Sequence, residues 1–507
     1  KQRPDPMSDK APMHHSTDGE AHAFERRWIA MIVLLMASFM NMIDVTIVNV
    51  ALPSMQKNLG VSESGIEWVV AGYILAFALG LLPFGRYGDI VGKKRIFLIG
   101  VTAFTLASLL CGLAANVEML IAARVIQGVA GAVMTPQVLA LAQIMFPPRE
   151  RAVAFSLFGL TAGLAAVAGP VAGGTLIHLQ LWNLDWRPIF LINVPIGIAC
   201  VLAARALIPD VPGNPRLKND WIGIVIAAIG TFCLIFPLIE GRGFGWPAWC
   251  FAMMAAFVVF AVLFVWWERR QSARGAADLV PPTLMKNGNF VVAALSAMVF
   301  FSAMPGFFLV LAVFLQAGYH LDPLQSGLTT VPFPIGVLVA SVVTGRLGGR
   351  NPRFRILLGT GLLVGAALLL RHTIAGVGEE VVKVDFILPL LLAGLGTGIT
   401  ISPLFQTALA GVPPRDAGSG SGALQSIQQM GGALGVAIIS QIFFAHVAGG
   451  MAAAMTEHEA YKASFETAIL YNIGCYVVVA LSTLLMKPMP AMHPGHRGPA
   501  AAAPPAV

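Results

Sequence analysis

Apolar runs of about twenty residues recur from one end of this chain to the other, broken only by short charged stretches. As a helix rising about 1.5 Å per residue, a run of that length crosses the roughly 30 Å hydrocarbon core of a bilayer. No water reaches that core, so each segment must satisfy its own backbone amides and carbonyls. Many such runs in one chain therefore specify a bundle of α-helices. Composition agrees: 57% of the 507 residues are hydrophobic and 11% are charged, whereas a soluble domain carries about a quarter charged residues.

Hydropathy places spans near 28–52, 66–85, 96–115, 117–145, 154–178 and 188–208, then 221–240 and 249–267. Six more lie near 290–317, 326–345, 355–371, 384–410, 420–445 and 465–486, for fourteen in all. With the N-terminus in the cytoplasm, the inner segments hold roughly 25 Lys and Arg and the outer ones about 6. That asymmetry accounts for the net charge of +7 without nucleic acid and puts both termini inside. Residues 1–27 and 488–507 are expected to be a disordered cytoplasmic arm and tail. The five cysteines lie in or beside apolar segments with no metal-ligand spacing and read as buried thiols.

A repeat divides the chain. Gly85–Arg95, after the second span, matches Gly345–Arg355, and the same offset carries the start of the first span to just before Asn289. The expected organisation is a six-helix bundle over 28–210, an inserted helix pair with linkers over 211–270, and a second six-helix bundle with its linker over 271–487. Repeated halves of this kind build alternating-access carriers, with substrate bound between them at mid-membrane.

Asp44 is the residue that most needs an explanation. A carboxylate inside a spanning helix costs at least about 2.5 kcal/mol to insert, so it requires a partner or a task. It sits about 12 Å from the outer end of its helix, and Arg124 of the fourth span sits about 10 Å from its own. Opposite charges at matched depth are expected to pair. Burial favours the neutral carboxyl and a nearby guanidinium favours the carboxylate, so separating and rejoining the two would load and release a proton.

Other residues surround this pair. Gln127, Gly128 and Gly131 share a face with Arg124, and Asn41 lies one turn before Asp44. Asn41, Gln127, Gln316, Gln406 and Gln425 are expected to line a substrate cavity, although hydrogen bonding between helices is an equal reading for the glutamines. The run Gly163–Gly174 concentrates helix breakers at Gly163, Gly169, Pro170, Gly173 and Gly174, which thin the helix for close packing. In the inner loop Gly85, Asp89, Gly92, Lys93 and Arg95 mark a gate, with Asp89 expected to form charge pairs in a latch. The repeat has Gly349 where Asp89 stands, so the latch is expected to be asymmetric.

No phosphate-binding Walker loop, metalloprotease helix motif, nucleophile elbow or dinucleotide fingerprint occurs. A membrane transferase would need an acidic or histidine cluster near one face, and a passive channel or sensor would have no use for Asp44 and Arg124 at one depth. An enzyme is not expected.

In order and spacing, Asp44–Pro53, Gly85–Arg95, Arg124–Gly128, Gly163–Gly174 and Trp186–Gly197 resemble the major facilitator superfamily, in its fourteen-helix drug:proton antiporter branch. The resemblance spans residues 28–487. It implies that Asp44 is the membrane-embedded proton and cation carboxylate and that Arg124 assists proton transfer. It makes Gly169 and Pro170 the antiporter motif, and Asp89 and Arg95 part of a loop stabilising the outward-facing state. The implied protein is a proton-coupled antiporter of the bacterial cytoplasmic (inner) membrane that exports lipophilic drugs, dyes or biocides. A dedicated exporter of one metabolite, peptide or lipid is the alternative. Spans nine and ten carry no acids, through Met304-Pro305 and Pro332-Phe333-Pro334, which favours neutral or monovalent cationic substrates over divalent ones. No cofactor is expected beyond protons as coupling ion. The expected partners are the lipid bilayer and small lipophilic substrates, not nucleic acid; the chain is expected to be a monomer, and nothing in it identifies a periplasmic adaptor.

Overall fold

The computed structural model describes residues 26–486 except 61–62, 180–183, 242, 275–278, 281, 322, 348–350, 379–380, 411 and 414–415. Residues 1–25 of the expected arm, the expected tail and Gly349 lie outside the described residues; Arg27, expected in the arm, instead opens the first helix. Within them all regular structure is helical, apart from one antiparallel bridge between Gly92 and Pro212.

The first bundle comprises α1 (Arg27–Leu59), α2 (Glu63–Val91), α3 (Lys93–Gly112), α4 (Val117–Met145), α5 (Pro148–His178) and α6 (Asn193–Leu207), the last preceded by a turn over Pro188–Leu191. The inserted pair is α7 (Trp221–Glu240) and α8 (Ala248–Ala273). The second bundle comprises α9 (Gly288–Val313), α10 (Pro332–Leu347), α11 (Pro352–Gly376), α12 (Ile387–Leu409), α13 (Ala417–Ala452) and α14 (Glu457–Thr483).

Thirteen helices among the described residues are long and apolar enough to span a membrane. The expected span at 326–345 is the exception, being split into Pro323–Thr330 and α10 at a turn on Val331. Pro332 supplies no amide and disfavours helical backbone at the residue before it, which breaks the run. At two places hydropathy set the limits too short. Helix α13 has 36 residues, roughly 54 Å. Helix α14 starts at Glu457 in a capping box between Thr456 and Glu459, well before its apolar stretch.

Within the first half α1 packs on α5, and α4 lies between α2 and α3; within the second, α9 packs on α13, and α12 lies between α10 and α11. The halves meet where α2 and α4 touch α13 and where α5 touches α10 and α12. Helix α7 leans on α2 and α13, whereas α8 leaves nearly all of its apolar stretch unburied. Such a helix, hydrophobic on every side, suits a lipid surround.

Candidate functional site

Asp44 and Arg124 meet. Both are fully buried, and Arg124 Nη1 donates to Asp44 Oδ2 in a salt bridge. The other carboxylate oxygen accepts from Gln127 Nε2 at 2.8 Å and from Asn193 Nδ2 at 3.1 Å. Arg124 is itself held at three points, since Nη1 also donates to Gln127 Oε1 at 2.8 Å and Nε to the Val69 carbonyl at 2.9 Å. Charges this deep are tolerable when paired and hydrogen-bonded; Arg124 Nη2 is the guanidinium nitrogen left without a hydrogen bond among the described residues.

Around the pair is a shell that the sequence reading did not assemble. Ser108 Oγ accepts from Gln127 Nε2 at 3.2 Å and from Asn193 Nδ2 at 3.0 Å, and it donates to the Phe190 carbonyl at 3.0 Å. One donor and two lone pairs are thereby used, the full capacity of a hydroxyl. The Tyr73 ring lies 4.2 Å from the Arg124 guanidinium carbon, and its hydroxyl accepts from Asn41 Nδ2 at 2.6 Å. Five helices, α1 to α4 and α6, thus contribute to one polar cluster. Asn193 had a sequence signal, an amide inside an apolar helix within Trp186–Gly197. Ser108 and Tyr73 had none, because both are common in membrane spans.

The two glycines beside Arg124 make this approach feasible. A β-carbon at Gly128 would strike the Tyr73 carbonyl, and one at Gly131 would lie 2.6 Å from Asn41 Nδ2. Bare backbone lets α2 and α1 close on α4, as small residues do in membrane bundles.

Expected cavity residues are scattered. Gln127 is fully buried in the Asp44 cluster, so it does not line a cavity, and Asn41 is turned to Tyr73. Gln316 bonds Ser326 Oγ, Gln406 bonds Ser402 Oγ, and Gln425 donates across the halves to the Thr135 carbonyl, each at 3.3 Å. A pocket in the second half is instead lined by Met304, Phe307, Phe308, Phe333, Thr397 and Asn472, among others, and by none of those five. The 260-residue offset that relates Gly85 to Gly345 also carries Asp44 to Met304 and Tyr73 to Phe333. The position that holds the carboxylate in the first half is therefore uncharged in the second.

The Gly163–Gly174 run serves two interfaces. A β-carbon at Gly169 would fall on the Thr46 hydroxyl, and one at Gly173 would lie 3.0 Å from Ile47 Cγ1, so both glycines seat α5 on α1. Gly163 faces the other half, at Phe333 and Pro334. Gly174 faces open space and contributes nothing to close packing. Pro170 lies inside the helix between them.

At the loop after α2, the buried Asp89 caps the first turn of α13. It accepts from the Gly418 and Ser419 amides at 2.8 and 2.7 Å and from Ser419 Oγ at 2.8 Å. Free amides and the helix dipole make that end a site for an anion. Lys93, the first residue of α3, bonds the same carboxylate at 2.8 Å, and Arg86 lies 3.7 Å from Asp416 across the halves. The expected latch of charge pairs is thus one cross-half pair plus a carboxylate on a helix end. Gly85 allows it, since a β-carbon there would strike the Gly418 carbonyl. Gly92 adopts φ of 115°, open to glycine, while Arg95 is exposed and outside the contact.

A profile of the Major Facilitator Superfamily matches residues 34–436. The probable actinorhodin transporter of Streptomyces coelicolor is 41% identical over 463 residues, covering 91% of this chain and 80% of that one. The multidrug resistance protein Stp of Mycobacterium tuberculosis is 31% identical over 420 residues, covering 82% and 76%. In fold, the chain is similar to the crystal structure of the human organic anion transporter MFSD10, with a TM-score of 0.61 at 15% identity over 92% of this chain and 99% of that one. With its helical halves, its buried Asp44–Arg124 pair and these relatives, the chain is a multi-pass membrane transporter that belongs to the major facilitator superfamily.

Proposed function

We propose that this protein is a proton-coupled antiporter that exports lipophilic compounds by alternating access across the bacterial cytoplasmic membrane, with fourteen spans and both termini inside. The buried Asp44–Arg124 pair carries this reading. In this reading the pair parts as the bundle rocks, and a coupling proton replaces Arg124 as the partner of Asp44. Reunion with Arg124 expels it. Gln127, Asn193 and Ser108 keep the carboxylate oriented between these states.

One proton falling through roughly 150 mV supplies about 3.5 kcal/mol, enough for a gradient of a few hundredfold. The absence of a second carboxylate at Met304, the counterpart of Asp44, supports neutral or monovalent cationic lipophiles. The relative at 41% identity is named for a single compound, which favours a dedicated exporter, and the one at 31% for multidrug resistance. Growth assays on a panel of antibiotics and dyes separate these: protection against one chemical class selects the dedicated exporter.

The test of coupling uses purified protein in liposomes, an imposed proton gradient and a fluorescent lipophilic cation. Gradient-driven movement by the wild type and its loss in Asp44→Asn are expected. Undiminished movement in Asp44→Asn would place the coupling proton elsewhere.

A further inference from the structure

The ends of α1, α4 and α5 around Arg27, Met145 and Pro147 enclose an open pocket of about 390 Å³, lined by Arg27, Ile144, Met145, Phe146, Pro147 and Arg151. Its two cations are held differently. Arg27 forks onto Glu150 at 2.7 and 2.9 Å, through Nε and Nη2. Arg151 turns its Nε to the Phe146 carbonyl at 2.9 Å, and no carboxylate among the described residues forms a salt bridge with it. Burial pushes this guanidinium below its ordinary value, with no anion to offset the loss of water.

The remainder of the wall is apolar. Met145 and Phe146 are buried, and the half-exposed Trp28 sets its ring edge-on to Phe146 at 4.7 Å. Tryptophan at a span end marks the headgroup level of a bilayer. A half-buried cation beside an apolar slot, between helix ends at that level, matches a headgroup phosphate with its glycerol and acyl chains alongside. Basic pockets between spanning helices on the cytoplasmic side take anionic lipid headgroups.

We propose that this pocket binds an anionic phospholipid of the inner leaflet, with Arg151 pairing to the phosphate and Ile144 and Met145 against the acyl chains. The placement rests on the membrane orientation argued under the proposed function, and not on proton coupling. Because the pocket joins α1 to α5, a bound lipid restrains the inner ends of the two helices that pack through Thr46 and Gly169.

The test is binding in neutral detergent, read by native mass spectrometry on the purified full chain. Dioleoyl phosphatidylglycerol, dioleoyl phosphatidylcholine and glycerol 3-phosphate are titrated separately and in competition. Wild type is expected to take the glycerol lipid in preference to the choline lipid. Arg151→Gln weakens that binding about fivefold, the effect of one basic group near an anionic headgroup. Arg216→Gln, the same charge change at an exposed site, leaves it intact, and Arg151→Lys keeps most of it. Unchanged affinity in Arg151→Gln overturns the proposal. Equal competition by glycerol 3-phosphate would assign the pocket to a free phosphate compound and overturn the lipid. Should Arg151→Gln fail to fold, Ile144→Trp, which fills the slot, must weaken lipid binding or the proposal falls. Because no transport is measured, a failed coupling assay and a failed lipid assay are read separately.

Discussion

Gly169 on α5 rests directly against Thr46 on α1, where Thr46 Oγ1 donates to the Ala165 carbonyl at 3.0 Å across the same contact. Thr46 is two residues beyond Asp44, so the Gly163–Gly174 run in effect sets the position of the helix that carries Asp44. Replacing Gly169 must push α1 away from α5.

Gly169→Val is expected to lower thermal stability by about 1–3 kcal/mol, as overpacking does, and to abolish gradient-driven transport in liposomes. Gly174→Ala, with nothing near its new methyl group, is expected to leave both unchanged. Equal effects of the two substitutions would show that helix composition, not the Thr46 contact, is what the run provides.

Asp44 and Arg124 form a double-mutant cycle. Arg124→Gln or Asp44→Asn alone leaves a buried partner behind, a loss of about 3–5 kcal/mol when one charge is uncompensated. The double variant is expected to regain most of that stability in a denaturation assay while remaining inactive in transport. Arg124→Lys should not rescue, because an ammonium cannot reach Asp44, Gln127 and the Val69 carbonyl together. Additive losses in the double variant would mean that the pair is not coupled.

Asp89→Asn keeps the shape of the latch and removes its charge from the first turn of α13, at an expected cost of about 2 kcal/mol to this contact between the halves. Spin labels on the inner ends of α2 and α13 should report a longer distance in the variant. Asp416→Asn should act in the same direction. An unaltered distance distribution in Asp89→Asn would remove the latch from the mechanism.

Glu150 supplies a control for pH experiments. Its hydrogen bond from Arg27 holds it below the usual carboxylate range. A depressed carboxylate contributes stability above its unfolded value of about 4.3 and loses it only as pH falls through the lower folded value. From about pH 5.5 to 8 the pair is therefore constant, and Glu150→Gln is expected to shift stability by no more than about 1 kcal/mol. It should leave the pH profile of transport unmoved across that window; a moved profile would assign Glu150 a role in proton handling.

Much of this was legible beforehand because hydrophobicity against the bilayer is a local property. Thirteen of fourteen expected spans needed only their own residues to be recognised, and Pro332, which breaks the other, was in plain view. The pairing of Asp44 with Arg124 was readable as well, since matched depth and opposite charge leave a buried ion pair few other partners. The glutamines were not separable in this way. Gln127 is sealed beside Asp44 and Gln425 bridges the halves, yet both are amides on small-residue helices, and their helical periodicity does not say which neighbour each face meets.

The sequence by itself determined the medium, the helices and a carboxylate deep in a span that had to be neutralised, because insertion and depth are additive along a segment. Only the tertiary structure decided that Asn193, Ser108 and Tyr73 complete the cluster and that Asp89 docks on the first turn of α13. Those choices depend on which helices touch and at what rotation. They are set by interhelical packing and hydrogen-bond geometry, which no single segment encodes.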